Sequence, residues 1–177
     1  MNNIDIDKLP RKYKEKNILE PFYINGLLDV EFTYKSNYEN TKALRDFVEA
    51  ICDMLWLPDR LKSRVVLISD ELNNNAIEYW SNSNWTNYLR IKAEKNKNEI
   101  DFLLEVEDNW KWKNHKTALD METMRAHQLK LGYFNHDSIR WRGLFLITVK
   151  IVDRLYFKNS KKWGLIVWVK SRFNKDN

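Results

Sequence analysis

An α+β fold, with helices packed on one face of a mostly antiparallel sheet, is what the sequence predicts, and three observations carry it. Several segments alternate apolar and polar residues at period two, the mark of half-buried strands. Two segments between the first strand and the rest repeat apolar residues at helical spacing, so each has one face to bury. The order reads strand, helix, helix, two strands, an insert, helix, two strands, with no internal repeat, and the later strands come as hairpin pairs. Hairpin-linked strands run antiparallel, and helices gathered ahead of and between them settle on one side, giving a two-layer sandwich.

Residues 1–26 read as a polar, partly disordered leader that holds the densest basic run, Lys8 to Lys16. The domain proper is expected over 27–172, with 173–177 as a tail. Its first strand alternates Leu28, Val30, Phe32 and Tyr34 with Asp29, Glu31 and Thr33. Asn40 or Thr41 can cap a helix in which Leu44, Phe47, Val48, Ile51 and Leu55 share a face until Pro58 stops the pattern. A second helix from about Asp59 carries Leu61, Val65, Ile68, Leu72, Ala76 and Tyr79 on one stripe, and ends in Ser81-Asn82-Ser83-Asn84. A hairpin follows, with strands at Tyr88 to Ala93 and Ile100 to Val106 and a turn at Lys95-Asn96-Lys97-Asn98. Residues 113–140 are polar and mixed, with a helical pattern from Thr117 to Leu129, and read as a functional lid or insert. A helix at Gly143 to Val152, a strand at Leu155 to Phe157, a turn at Asn159 to Lys162 and a strand at Leu165 to Lys170 complete the order.

A chain of 177 residues with 44% hydrophobic content is long enough for one sizeable core and too short for two ordinary domains. Cys52 is the sole cysteine, so it has no partner within the chain for a disulfide; this suits a reducing cytosol, and its apolar helix neighbours mark it as core. No window nears the roughly 20 apolar residues that span a bilayer, so a soluble, cytoplasmic protein without a membrane partner is expected. The net charge of +5 comes from 30 basic residues spread among 25 acidic ones. No reading helix or RNP-type strand organises that charge, which disfavours nucleic acid as a partner. His115, His127 and His136 lie in the insert with spacings that match no compact zinc pattern, so they read as surface residues.

Three constellations carry chemistry. Glu71 and Asn75, four apart on the second helix, project from one face beside the apolar stripe. A carboxamide oxygen can ligate a hard cation while a neighbouring carboxylate orients or deprotonates a nucleophile. Asp108 shares the parity of Ile100, Phe102, Leu104 and Val106, so it emerges on the inward face of its strand and needs a donor. That donor is an adenine amino group, a backbone amide or a lysine of the insert. Arg142-Gly143-Leu144 opens a helix, where free amide groups attract phosphate.

In this order and spacing the three resemble the GHKL (histidine-kinase-like) ATPase superfamily, most closely its anti-sigma factor and serine-protein-kinase branch. Glu71-Leu72-Asn73-Asn74-Asn75-Ala76 looks like the N box, Val106-Glu107-Asp108 like the strand entering the G1 box, and Arg142-Gly143-Leu144-Phe145-Leu146-Ile147 with Val152-Asp153 like the G2 box and its helix. Gly164-Leu165-Ile166-Val167-Trp168 is similar to the branch's last strand. The resemblance implies a Bergerat-type sandwich that binds ATP and Mg2+. Glu71 would be the catalytic base or water-orienting residue, Asn75 the magnesium ligand, and Asp108 the adenine reader. Arg142, Gly143 and Leu144 would surround the phosphates, with 113–140 as the ATP lid. The branch's partners are a sigma factor and an anti-anti-sigma protein phosphorylated on Ser or Thr, and a homodimer is implied.

The glycine boxes depart from that pattern. Trp110 and Trp112 stand at both G1 glycines and Trp141 at the first G2 glycine, the threonine of the last strand is absent, and the whole chain has four glycines. These tryptophans either stack on a purine in a rebuilt pocket or fill the pocket, leaving a nucleotide-free, protein-binding module of the same fold. Nucleotide binding with serine/threonine kinase turnover weak or lost is the reading carried forward, with the plugged pocket as its alternative.

Overall fold

The computed structural model describes residues 3–80, 85–97, 99–108, 117–131, 154–161 and 164–174. Their strands are β1 (Asn3–Asp5), β2 (Tyr23–Ile24), β3 (Leu27–Lys35), β4 (Thr86–Lys95), β5 (Glu99–Glu107), β6 (Arg154–Asn159) and β7 (Leu165–Asn174). Their helices are α1 (Glu15–Leu19), α2 (Glu39–Met54), α3 (Asp59–Asn75), which continues into a π-helical turn (Ala76–Trp80), and α4 (Ala118–Leu131). The strands form one seven-stranded sheet in the order β1-β3-β4-β5-β7-β6, with β2 also on β3. Every pairing is antiparallel except that of β1 with β3. The two-layer α+β architecture with a mostly antiparallel sheet is therefore the one expected.

Register turns the period-two pattern into a core. Val30 lies opposite Ile91, Ile91 opposite Leu104, Leu104 opposite Val169, and Val169 opposite Leu155, so one inward row crosses five strands. All five side chains are buried. A second row runs Phe32, Leu89, Val106, Val167 and Phe157. Leu44, Phe47, Val48 and Ile51 of α2 and Leu61, Val65, Ile68 and Leu72 of α3 cover this face in one continuous cluster, with the Phe32 and Phe47 rings 5.1 Å apart. Burial of such side chains, each contributing about 1.5–3 kcal/mol, is what holds the helices to the sheet. Cys52 lies in the same cluster, where burial pushes its thiol up to about 12 and leaves it inert.

Both ends of α2 differ from expectation. The side chain of Asn37 accepts from the Glu39 amide at 3.0 Å, so the helix starts ahead of Asn40 and Thr41. It ends before Pro58 in a paired closure, Leu57 N–H to Cys52 O and Trp56 N–H to Asp53 O. Trp56 takes the left-handed position of that closure (φ 60°) that glycine ordinarily fills. At α4, Thr117 and Asp120 cap one another: the Asp120 carboxylate accepts from Thr117 N–H at 2.8 Å, and the Thr117 hydroxyl accepts from Asp120 N–H at 3.2 Å. Met121 is buried, the Ala118 amide donates to Asn159 Oδ1 at 2.7 Å, and Arg125 Nη1 donates to the Leu155 carbonyl at 2.9 Å, so α4 lies along the edge strand β6. The rest of the expected lid, and the helix expected at 143–152, lie outside the described residues.

The segment set apart as a leader is built into the domain. Residues of β1 pair in parallel with Glu31 to Thr33, Ile4, Ile6 and Leu19 are buried, and Tyr13 stacks on Phe47 with centroids 5.7 Å apart. Asn25 (φ 52°) and Gly26 (φ 85°) form the tight turn that joins β2 to β3. The basic run hid this because its apolar residues sit in elements of two to five residues, too short to show a period. At the other end β7 runs to Asn174, and Phe173 packs against Phe102 at 6.1 Å, so the expected tail begins too early. Leu19→Ala and Ile6→Ala are each expected to lower the unfolding free energy by about 2–5 kcal/mol, read from urea denaturation; a disordered leader would leave both variants at the wild-type value.

Candidate functional site

Helix α3 delivers Glu71 and Asn75 together. Leu72 and Ala76 are fully buried, which turns their side of the helix to the sheet and leaves Glu71 and Asn75 half-buried on its shoulder. An ion pair between Arg45 and Asp70 ties α2 to α3 one residue before Glu71. Burial raises the Glu71 carboxyl above its usual value, and the charge of Asp70 adds to the rise. A carboxylate raised in this way is a stronger base than one in water. Directly after Asn75 the helix widens into the π-helical turn Ala76–Trp80, a local irregularity often found at functional sites.

The two inward rows through Val30 and Phe32 are apolar, and the row that follows them is not. One step beyond the row of Phe32 and Leu89 comes Tyr34, opposite Asn87, and the same register carried onward reaches Asp108 and then Leu165. Tyr34, Asn87 and Asp108 are all buried, so the sheet ends in a polar floor. Asn87 Nδ2 donates to Ser36 Oγ at 2.8 Å. Asp108 exchanges bonds with Leu165: its amide donates to the Leu165 carbonyl at 3.1 Å, and its Oδ1 accepts from the Leu165 amide at 2.9 Å. Of the donors considered for Asp108, a backbone amide is therefore engaged. Gly164 lies flat against this carboxylate, and a Cβ built there would overlap both the carbonyl and Oδ1 of Asp108.

Tyr34 links this floor to the helix. Its hydroxyl donates to Asn73 Oδ1 at 2.7 Å, and Asn73 Nδ2 donates to Ser69 Oγ at 3.1 Å, all three residues being buried. Burial drives the phenol far above its ordinary value and the nearby charge of Asp108 adds to that, so it stays protonated as a donor. Asn73 sits midway in sequence between Glu71 and Asn75 and leaves the opposite flank of the helix, so Tyr34 grips the turn that carries the other two candidates from its buried side.

The sequence of residues 34–170 matches the histidine kinase-like ATPase domain family. The chain belongs to that family. No curated protein sequence matches it. The family match begins at Tyr34, the first residue of the polar floor, and ends within β7 at Lys170. The segment before it, with β1, α1, β2 and most of β3, lies outside the matched residues and belongs to the same sheet and core.

Of the residues that the sequence nominated, Glu71, Asn75 and Asp108 fall in the described part, on α3 and at the end of β5. Arg142, Gly143 and Leu144 lie outside the described residues, as do Trp110, Trp112 and Trp141, with which the choice between a rebuilt and a filled pocket rests. His115 and His136 are also outside, His127 is exposed on α4, and among the described residues no three metal-ligating side chains cluster. Sequence reasoning missed Tyr34, Asn73 and Ser69 as site residues. Tyr34 looked like one more member of an apolar strand face, although a buried phenol always asks for a partner.

Two outcomes follow from this geometry. Gly164→Ala is expected to cost about 1–3 kcal/mol or more in chemical denaturation, because neither the Asp108 backbone nor its anchored carboxylate can move aside freely. For Glu71, a folded-state value raised above the unfolded one means that stability is fully present below the unfolded value and lost as pH rises through the folded one. Glu71→Gln should therefore melt at a higher temperature than wild type at pH 7, with the gap closing below the ordinary glutamate value of 4.5.

Proposed function

We propose that this chain binds ATP with Mg2+ and acts as a cytoplasmic regulatory protein through a protein partner, in the manner of the anti-sigma factor serine/threonine kinases. The observation that carries the reading is the buried carboxylate of Asp108, fixed by the Leu165 amide against the bare backbone of Gly164, with Tyr34 bridging toward the helix of Glu71 and Asn75.

The residues present suit the two ends of such a ligand. Asp108 would accept from an exocyclic amino group of the base, its orientation set by the bond to Leu165. Asn75 would offer its amide oxygen to the magnesium ion, and hard cations favour that donor. Magnesium ATP, when bound, supplies an activated phosphoryl group. Glu71, raised by burial, would orient or deprotonate the acceptor hydroxyl. A sigma factor or an anti-anti-sigma-like protein is the partner class that this reading implies. Large side chains at the glycine positions of both phosphate-side boxes, Trp110, Trp112 and Trp141, favour a second reading, a nucleotide-free module of the same fold.

Eight tryptophans make intrinsic fluorescence the natural reporter. Titration with magnesium ATP is expected to saturate. Asn75→Ala and Asp108→Asn should each weaken binding about tenfold or more, as the loss of a charge-assisted bond does. Asp108→Asn keeps an acceptor for Leu165, so its effect reports on the ligand. The absence of any saturable response up to millimolar ATP would leave the nucleotide-free module as the function.

A further inference from the structure

We propose that Tyr34 is a positioning residue: its hydroxyl, acting through Asn73, holds the last turn of α3 in one rotation and so fixes where Glu71 and Asn75 stand. The consequence for ligand binding rests on the nucleotide-binding reading above; the mechanical link does not.

A phenylalanine would meet the apolar needs of this position. Phe32, two residues earlier on the same face of β3, fills its part of the core with a ring alone. A ring alone would fill the place of Tyr34 equally well, whereas a buried hydroxyl costs free energy unless it is bonded. Its partner is specific. Tyr34 and Asn73 are 39 residues apart in sequence, on the sheet and on the helix layer, and their 2.7 Å bond runs directly between the two layers. Asn73 is in turn oriented by Ser69, one helical turn earlier, so that its Oδ1 faces Tyr34 and its Nδ2 faces the helix. The amide cannot rotate without losing both bonds.

Apolar packing alone leaves α3 free to rotate slightly about its axis, because contacts of Leu72 and Ala76 with the sheet are not directional. A hydrogen bond is directional, and this one engages the turn lying between Glu71 and Asn75. That turn is where definition is most needed, since the π-helical turn begins at Ala76 and interrupts the regular bonding pattern from there. The other end of the link is equally fixed. Tyr34 pairs with Asn87 in the sheet, and Asp108 lies close enough for its charge to act on the phenol. One hydroxyl thus sets the helix in relation to the carboxylate at the far side of the floor.

The test is Tyr34→Phe, with Val30→Ala as a control that loosens the same strand without touching the link. Amide hydrogen exchange at residues 72–77 is expected to speed up about tenfold more than global unfolding accounts for in Tyr34→Phe, and not in Val30→Ala. Magnesium ATP affinity should fall about fivefold or more in Tyr34→Phe while adenosine affinity stays at the wild-type value, and the loss should vanish when Asn75 is already Ala. Exchange at 72–77 that follows global stability alone overturns the proposal, as does an equal loss of adenosine and magnesium ATP affinity. Local loosening in a wild type that binds no nucleotide supports the link and removes only the nucleotide reading.

Discussion

A buried carboxylate at the end of a sheet must be met by donors, and Asp108 imposes that requirement on everything around it. The amide of Leu165 meets one oxygen, which continues the β5–β7 pairing one residue past its regular ladder. The same closeness forbids a side chain at residue 164. Burial keeps the Tyr34 phenol protonated, the charge of Asp108 adds to that, and the hydroxyl donates to Asn73. The extra strand pairing and the bare glycine both trace to one ionisable group that a simple core would not contain.

The two layers supply that group with a frame. Apolar rows across five strands, capped by α2 and α3, make a base that resists shear, and the polar row sits at its end where the strands give way to loops. The Arg45–Asp70 pair and the Tyr34–Asn73 bond hold α3 from two sides, one at the surface and one within. A surface pair of that kind contributes little on its own. The buried bond is the one with directional force. Outside the matched residues, β1 adds a strand beside β3, and Tyr13 stacks on Phe47 of α2.

Most strands and the two long helices were legible because their apolar residues recur over several periods, as in Leu28 to Tyr34 or Leu61 to Ala76. The site was legible where a short-range rule applied: four residues place Glu71 and Asn75 on one face, and strand parity turns Asp108 inward. Tyr34 and Asn73 were not, because nothing local connects a strand residue to an amide 39 positions on. Residues 3–24 were misread for a different reason: their elements are short, and the lysines among them mask the few side chains, Ile4, Ile6 and Leu19, that anchor them.

What the sequence determined by itself was the period and order of the elements and, through them, the fold class, together with the helix and strand that carry Glu71, Asn75 and Asp108. Periodicity is a local property, and a chain of this length needs few other instructions to choose its layers. Only the tertiary structure decided that Leu165 would answer Asp108, that Gly164 would have to stay bare, and that Tyr34 would reach Asn73. The first two depend on which strands become neighbours and in what register, and the third on how α3 is laid over the sheet; none is a local property of the chain.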